Sequence, residues 1–294
     1  MLNKIRDLII PNPLNRLLTE YCKKDKQSFL IYWNRGLGDI PLGLYALCIQ
    51  IRKKIPKARI VFLTRADLAE AFTMLEDVEV IVDKTMKRGL SYCLQGGREF
   101  DVVIEKVESK KWLNWQLGKL TPKLKWQERW DSLSEKFGLD NAKGYLGVHV
   151  SSETSGYYGY EKNWSKESFQ KLFYKIAEEK RQKILLFGIK KEGDFLGANL
   201  IDLRGKTSLF EMLSIIKNHC SHLLAPDSGV LSIAYYINED FYLKVVSLWA
   251  DPKQGILKQR VASPNRKLFH YPLIGDKKCV ENISAEEVFK SLYF

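Results

Sequence analysis

The sequence predicts an α/β fold in which two parallel-sheet domains follow one another along the chain. Three observations support this prediction. Strand-like and helix-like runs alternate in both halves, each half has a glycine–acid turn between an apolar strand and an apolar helix, and an irregular stretch separates the halves. Such alternation is typical of parallel sheets with right-handed crossovers. We place the domains at residues 1–140 and 141–294.

The first half alternates regularly up to residue 104. The strand Ser28–Trp33 leads into the helix Ile40–Lys54, whose apolar side chains share one face and which ends at Ile55-Pro56. The other expected elements are the strands Ala58–Leu63, Val78–Val82 and Phe100–Ile104 and the helix Ala66–Leu75. Residues 105–140 are basic and rich in Trp and Leu, and we interpret them as an irregular or helical segment that leads into a linker.

The second half repeats the pattern. Its clearest helix is Ser165–Glu179, where Ser165 is suited to the N-cap and an apolar stripe follows. The other expected elements are the strands Tyr145–Val150, Ile184–Phe187, Leu200–Leu203, Ser221–Ala225 and Lys244–Leu248 and the helices Ser208–Asn218, Gly229–Ile237 and Ser284–Ser291.

Composition narrows the class of protein. The chain has 294 residues, of which 45% are hydrophobic, and a formal net charge of +12. No apolar run reaches the ~18 residues of a membrane span, and the N-terminus lacks a signal-peptide cleavage site. The five cysteines are scattered without metal-ligand or redox spacing. We therefore expect a cytoplasmic protein whose basic charge favours anionic partners.

The two glycine–acid turns are the strongest functional signal. Arg35-Gly36-Leu37-Gly38-Asp39 follows the first strand, and Ala225-Pro226-Asp227-Ser228-Gly229 follows a strand in the second half. Glycines let a ligand approach the backbone, and N–H groups at a helix start favour anions. One such turn arises often by chance, whereas one in each half suggests two nucleotide-binding-type domains that face each other across a cleft.

Several stretches in the same order resemble a known family. They are residues 35–39, Lys162-Asn163-Trp164-Ser165 with its helix, Ile184 to Gly188, the run from Asp202 through Gly205 to Gly229, and the C-terminal Cys279 with Ile283 to Val288. This set resembles bacterial glycosyltransferase family 9, which includes the ADP-heptose:lipopolysaccharide heptosyltransferases. The resemblance implies a GT-B fold of two Rossmann-like domains, with the nucleotide-sugar donor on the C-terminal domain and the acceptor on the N-terminal one. It also implies inverting transfer without a metal or another cofactor, in agreement with the lack of an Asp-x-Asp pair.

The resemblance assigns two catalytic residues. Asp39 matches the aspartate that takes a proton from the acceptor hydroxyl, and its place at a helix start favours the ionised carboxylate. Lys162 matches the lysine beside the donor diphosphate, where an ammonium offsets the charge of the leaving group. Taken alone, Asp39 would more commonly be an N-cap, and Lys162 could equally be a solvated lysine before a helix.

A second group of residues is assigned to substrate binding. They are Gly38, Ser151, Ser152, Gly188, Asp227, Ser228 and Gly229. Ser151 and Ser152 end a strand where phosphate contacts are common, Gly188 would admit the nucleoside, and the Asp227–Gly229 turn would present N–H groups and a hydroxyl to the diphosphate. The alternative readings are an ordinary polar turn, a glycine turn and a capping turn.

Two departures from the family pattern bear on activity. Ser232 stands where family members usually have a histidine, which removes a phosphate or sugar contact, and the N-terminal domain is shorter than in heptosyltransferases. These departures leave two alternative functions open. The protein could be a non-catalytic sugar-nucleotide-binding relative, or a different GT-B enzyme such as an epimerase that hydrolyses the sugar nucleotide.

The Trp-rich basic segment bears on the acceptor. It contains Trp112, Trp115, Trp126 and Trp130 among Lys110, Lys111, Lys119, Lys123, Lys125 and Arg129. Together with the apolar N-terminal positions Leu2, Ile5, Leu8, Ile9, Leu14, Leu17, Leu18 and Tyr21 it could contact a membrane peripherally, at the inner face of the cytoplasmic membrane. The alternative is that both segments pack on the N-terminal sheet. Nucleic acid is not an expected partner, because no helix-turn-helix, zinc or RNP-like motif accompanies the charge.

Overall fold

The computed structural model describes residues 12–90, 99–108, 112–140, 143–156 and 159–294. The chain divides into two compact units. The first comprises the described residues up to Lys125 together with Gln259–Ala262, and the second comprises Trp126–Lys258 together with Ser263–Phe294. Each unit contains one parallel β-sheet, which confirms the prediction of an α/β chain with two parallel-sheet domains.

The first unit is built on a four-stranded sheet. Its elements are α1 Pro13–Lys23, β1 Ser28–Trp33, a π-helical turn Ile40–Leu44 that continues into α2 Tyr45–Lys54, β2 Arg59–Thr64, α3 Ala66–Phe72, β3 Val78–Val82 and β4 Val102–Ile104. The strand order is β3-β2-β1-β4, and every pair is parallel. β1 is therefore central, and the residues that follow it lie at the edge of the sheet where ligands bind in open α/β folds.

One carboxylate fixes the start of the two neighbouring strands β1 and β4. Asp101 Oδ2 accepts hydrogen bonds from the backbone N–H groups of Gln27 and Ser28, each at 2.9 Å. The hydroxyl of Ser28 donates to the same oxygen and also accepts from the Asp101 N–H. These donors favour the ionised form and lower the pKa of Asp101 to about 2.

The second unit is built on a six-stranded sheet. Its elements are β5 Tyr145–His149, α4 Lys166–Glu179, β6 Ile184–Phe187, β7 Leu200–Asp202, α5 Leu209–His219, β8 Cys220–Pro226, α6 Gly229–Tyr235, β9 Leu243–Trp249, α7 Gly255–Gln259, β10 Leu268–Ile274 and α8 Ala285–Tyr293. The strand order is β10-β9-β8-β5-β6-β7, with all pairs parallel. This is the doubly wound dinucleotide-fold order, which reverses direction between β5 and β8.

Helix caps explain where the helices of this unit begin. Ser165 accepts a hydrogen bond from the Ser168 N–H at the start of α4, as the sequence predicts. Ser208 and Glu211 form a capping box on α5, and Ser284 caps α8. The apolar faces of α4 and α8 then cover one side of the sheet in a core that includes Leu146, Val148, Phe169, Phe173, Val246, Val288 and Phe289.

Two elements of the second unit were not predicted. β10 lies in a stretch to which the sequence analysis assigns no element, and its Pro272 cannot donate to a β-ladder. β10 accommodates this proline because it is the edge strand of the sheet. The short helix α7 was also missed, since five residues give too little periodicity to recognise.

The tryptophans at the start of the second unit are structural. Trp126 and Trp130 are 5% and 4% exposed, and Trp130 lies against Phe210 of α5 with ring centroids 4.0 Å apart. The 3₁₀ segment Glu128–Phe137 that carries Trp130 is tied to α5 by Asp131, which accepts from Lys217 Nζ at 2.6 Å. Residues 126–140, which we had assigned to the first domain, thus pack within the second unit, and these two rings are not available to a membrane.

The described part of the N-terminal stretch is also packed. Leu14 and Leu18 of α1 are fully buried, and Tyr21 contacts Phe29 of β1. This matches the packing alternative for α1. The predicted apolar positions Leu2, Ile5, Leu8 and Ile9, and the lysines Lys110 and Lys111, lie outside the described residues.

Candidate functional site

The switch point of the second sheet gathers most of the predicted residues. Ser151 and Ser152 follow the carboxyl end of β5, and Asp227 directly follows β8, its neighbour in the sheet. In open α/β sheets the ligand crevice lies outside the carboxyl ends of the strands at this reversal. The topology therefore brings together residues that are some 75 positions apart in the sequence.

A buried ion pair lies at the centre of this region. Lys162 Nζ donates to Asp227 Oδ2 at 2.6 Å, and the two residues are 5% and 7% exposed. Burial raises the pKa of Asp227, with a smaller contribution from the nearby Asp251, while the Lys162 ammonium opposes the rise. A pair of this kind persists in a protein interior only when each charge keeps its partner.

The loop that carries Lys162 is held by its own hydrogen bonds. Ser155 Oγ accepts from the Lys162 N–H at 2.7 Å and donates to Glu161. Asn163 closes the loop from the other side, because its Oδ1 accepts from the Ser152 N–H at 2.6 Å. Thus the loop places Lys162 by local contacts. The Ser152 N–H is bonded within the loop and does not point to a phosphate site.

The two serines after β5 have different environments. Ser152 is 6% exposed and its hydroxyl lies 3.1 Å from that of Thr154. Ser151 is exposed. Of the two residues, Ser151 is the one that a ligand can reach directly.

Gly255 lies close to the buried carboxylate of Asp227. A Cβ at this position would lie 2.5 Å from Asp227 Oδ1 and 2.7 Å from the ring of Trp249, and Gly255 has a φ of +47°. Both the space and the backbone conformation therefore require glycine here. The sequence contains no local signal for this role, because the path of the chain after β9 decides how closely Gly255 approaches Asp227.

The predicted turn before α6 forms as a cap. Ser228 is the N-cap of α6, and its hydroxyl accepts from the Leu231 N–H at 3.2 Å, so the capping alternative describes its side chain here. Gly229 is the first residue of the helix. Ser232, which replaces the family histidine, donates its hydroxyl to the Ser228 carbonyl at 3.0 Å and is 2% exposed, so its side chain points back into the helix.

Arg204 lies in the run from Asp202 to Gly229 that resembles the family, and the sequence alone assigns it no role. The guanidinium is buried, donates to the carbonyls of Glu192 and Gly193, and pairs with Asp202 at 2.8 Å. It thereby shapes the loop that follows Gly188 at the carboxyl end of β6. The Gly188 carbonyl accepts from the Gly205 N–H at 2.8 Å, and glycine is favoured at residue 205 by its φ of +72°.

His149, the last residue of β5, is a second site-adjacent group that we had not predicted. It is 4% exposed, and burial lowers the pKa of its imidazole to about 4. Within the described part of the chain, its Nδ1 atom has no hydrogen-bond partner. The imidazole is therefore neutral at physiological pH.

The turn of the first unit places Asp39 at the start of the π-helical turn, as predicted. Its side chain does not cap that helix. Instead, Oδ2 accepts from the Gly36 N–H at 3.2 Å, and a Cβ on Gly36 would lie 3.1 Å from that oxygen. Gly36 and Gly38 thus form a tight turn with the Asp39 carboxylate folded over it, half-buried and within reach of solvent.

Among the described residues, no group of three or more His, Cys, Asp or Glu side chains is arranged to hold a metal ion. No helix in the same part of the chain has the length and apolarity needed to cross a bilayer.

Comparison with solved structures identifies the fold. The structure is similar to E. coli ADP-heptose lipopolysaccharide heptosyltransferase II, with a TM-score of 0.63, 15% identity, and coverage of 90% of this chain and 97% of that one. It is also similar to a glycosyltransferase family 9 structure from Veillonella parvula, with a TM-score of 0.57, 15% identity, and coverage of 90% and 95%.

A third solved structure contains a donor analogue. It is E. coli heptosyltransferase WaaC with ADP-2-deoxy-2-fluoro heptose, and it matches with a TM-score of 0.55, 12% identity, and coverage of 90% and 98%. No family model matches the sequence, and no curated protein is significantly similar to it. The likeness therefore establishes that this chain has the fold of these glycosyltransferases.

Proposed function

We propose that this chain is an inverting, metal-independent glycosyltransferase that moves a sugar from a nucleoside diphosphate to a cell-surface glycolipid or glycan, such as the lipopolysaccharide core. The observation that carries the proposal is the buried Lys162–Asp227 pair at the switch point of a dinucleotide-type sheet. Support comes from the fold, which is that of enzymes whose names include heptosyltransferase. By resemblance, the donor is an ADP-sugar and heptose is the first sugar to test.

The pair is neutral overall, and in it Asp227 orients the Lys162 ammonium at the proposed donor site. The Lys162 side chain is only 6% exposed, so only a small part of its surface can meet a ligand. In such a low-dielectric setting an oriented charge interacts strongly with a diphosphate that gains charge as it departs. Asp227 holds the ammonium in place, and we assign Ser151, Gly188 and the residues 227–229 to donor contacts around it.

Asp39 is the proposed general base. The carboxylate is half-buried, and a hydrogen bond from the Gly36 N–H orients it. Inversion by direct displacement needs one base beside the acceptor hydroxyl, and a carboxylate held in one orientation meets that need. Gly38 lies in the same turn and leaves room for the acceptor.

Independence from metals follows from the proposed role of Lys162. Many transferases neutralise the diphosphate with a divalent cation held by acidic side chains, whereas this site presents an ammonium to it. Turnover should accordingly persist in EDTA. A lipid-linked acceptor would bring the protein to the inner face of the cytoplasmic membrane.

The donor site can be tested by thermal-shift measurements with ADP, UDP, GDP and their sugar derivatives. A ligand that binds the folded state stabilises it by about 2.7 kcal/mol at a hundred times its Kd. We expect one nucleotide series to stabilise the wild type and Lys171→Ala, a control on the exposed face of α4. The double variant Lys162→Met/Asp227→Leu should fold but show no shift. Absence of any shift with the wild type would contradict the donor assignment.

A second candidate is a sugar-nucleotide-binding protein without transfer activity. The observation that favours it is Ser232, whose hydroxyl bonds to the Ser228 carbonyl instead of facing a ligand. Release of nucleoside diphosphate in the presence of candidate acceptors separates the two functions. A transferase should lose turnover in Asp39→Asn and keep the nucleotide shift, whereas the non-catalytic protein shows the shift and no turnover in any variant.

A further inference from the structure

The amino ends of the strands in the second unit form a surface that differs in character from the candidate site. Four aromatic side chains at or near these ends are strongly exposed, namely Tyr242 at 46%, Phe269 at 50%, Tyr271 in the middle of β10 at 42%, and Phe294 at the end of α8 at 85%. Most proteins bury such rings, and a group of exposed ones indicates an interaction surface. We refer to these four residues with Lys180 and Lys244 as the aromatic–lysine surface.

The sheet register shows that this surface is continuous. His222 of β8, Lys244 of β9 and Phe269 of β10 are cross-strand neighbours on one face of the sheet. The ring of Phe269 contacts Tyr242, with centroids 5.9 Å apart, and Lys244 Nζ lies 4.8 Å from the centroid of Tyr271. The three strands therefore supply one patch rather than scattered side chains.

The C-terminal helix extends the patch across the sheet. Tyr293 of α8 contacts His222, with ring centroids 5.5 Å apart. Lys180 lies over the next residue, with its Nζ 4.8 Å from the centroid of the Phe294 ring. Lysine and aromatic side chains thus alternate from β10 to the end of α8.

The charge of this surface is basic. Nearby carboxylates are engaged by other cations, since Asp240 pairs with Arg266 and Glu239 with Lys217. Lys244 and Lys180 instead lie over rings, and Lys267 is exposed two residues before Phe269 in the sequence. A second copy of this chain would bring like charges together, whereas an anionic surface is complementary.

The mixture of side chains selects among anionic partners. Tyrosine and lysine combine an apolar body with a polar tip, and they are favoured at the level of lipid headgroups. Exposed Phe269 and Phe294 supply apolar contact with the acyl region, which a dissolved polyanion does not offer. We propose that the aromatic–lysine surface docks this protein peripherally on an anionic lipid bilayer.

This docking leaves the candidate donor site open. β8 and β9 each have seven residues, and the surface lies at their amino ends while Asp227 and Trp249 lie at their carboxyl ends. Seven residues of strand span roughly 20 Å. Membrane docking rests on the proposed transfer to a lipid-linked acceptor. Because the aromatic–lysine surface shares no residue with the candidate donor site, vesicle binding and nucleotide binding can succeed or fail separately.

The test is co-sedimentation of the full chain with phosphatidylcholine vesicles that contain or lack phosphatidylglycerol. We expect binding only to the anionic vesicles, and it should decrease as salt screens the charges. Lys180→Glu/Lys244→Glu should lower the partition coefficient about tenfold or more. Phe269→Ser/Tyr271→Ser should lower it without changing the charge.

The matched control is Lys171→Glu/Lys277→Glu, which changes the net charge equally at exposed positions away from the surface. It should bind anionic vesicles nearly as the wild type does. Equal losses in the control and in Lys180→Glu/Lys244→Glu would overturn the proposal, because net charge would then explain the binding. The proposal would also be overturned if the protein bound soluble polyglutamate but not vesicles, because the partner would then be an acidic polypeptide. All variants should keep the nucleotide thermal shift of the wild type.

Discussion

Lys162 and Asp227 form a buried ion pair across 65 residues of sequence, with Nζ and Oδ2 at 2.6 Å. Lys162 comes from the loop before α4 and Asp227 from the end of β8, so the pair joins two elements on either side of the switch point. Its burial means that the charges stabilise each other and that neither can be removed alone without a cost. The pair is therefore both a structural tie and the centre of the proposed donor site.

Removal of one partner should destabilise the second unit strongly. We expect Lys162→Ala to lower the free energy of unfolding by about 3–5 kcal/mol, because it leaves Asp227 buried without its counter-charge. Lys162→Met/Asp227→Leu should recover most of this loss, since apolar replacement of both charges is often nearly neutral. Urea denaturation of the three proteins measures the difference. Equal losses in the single and double variants would show that packing, not charge, holds the site.

Gly255→Ala should disturb the same carboxylate. The added Cβ would approach Asp227 Oδ1 to 2.5 Å, so Asp227 or the α7 backbone must shift. We expect a loss of about 1–3 kcal/mol in stability and a weaker nucleotide thermal shift. The control is Gly138→Ala, which has a φ of +58° but open space around its Cβ and therefore reports backbone strain alone. If the two variants lose the same stability and both keep nucleotide binding, the contact with Asp227 is unimportant.

Gly36→Ala should affect turnover more than donor binding. A Cβ at this position would press on Asp39 Oδ2 at 3.1 Å and turn the proposed base out of its orientation. A small misplacement of a catalytic group can cost about a hundredfold in rate. We expect kcat to fall while the nucleotide shift is unchanged, with Gly144→Ala, which contacts nothing within 4 Å, as the control. Normal kcat in Gly36→Ala would argue against Asp39 as an oriented base.

Asp101 should make the first unit sensitive to acid. Its pKa is lowered from 3.8 to about 2 by hydrogen bonds from the backbone of Gln27 and Ser28. Since the folded state holds the ionised form, this stabilisation is complete above pH 3.8 and is lost as the pH falls through 2. Asp101→Asn should lower stability at neutral pH. Its stability, followed by circular dichroism, should also depend less on acid pH than that of the wild type. Asp25→Asn, an exposed control, should keep the wild-type profile; an unchanged profile in Asp101→Asn would refute the linkage.

Trp130→Ala should destabilise the second unit even though the residue lies in the basic segment. Its ring is 4% exposed and stacks on Phe210, so truncation leaves a cavity worth about 3–5 kcal/mol. Glu135→Ala, at an exposed position of the same segment, should change stability by about 0.5 kcal/mol or less. A neutral effect of Trp130→Ala in thermal melts would mean that the segment is not docked on α5.

Local signals allowed much of the fold to be predicted. Alternating strands and helices identified two parallel sheets, and Ser165 and Ser208 marked helix starts that the structure confirms. The glycine–acid turns lie directly after β1 and β8, where the order of strands places a ligand crevice. These features depend on residues within a few positions of each other, which is why the sequence alone determined them.

Other features depended on the tertiary structure. The partner of Lys162, the glycine that Asp227 requires at residue 255, and the burial of Trp130 all arise from contacts between elements distant in sequence. Side-chain type does not distinguish a solvated lysine from a buried one, or a membrane-facing tryptophan from a core one. Burial is decided by the strand order and by which helix covers each face. The sequence by itself therefore determined the class of fold and the order of its turns, and only the folded chain decided which charges are paired and which aromatic rings face solvent.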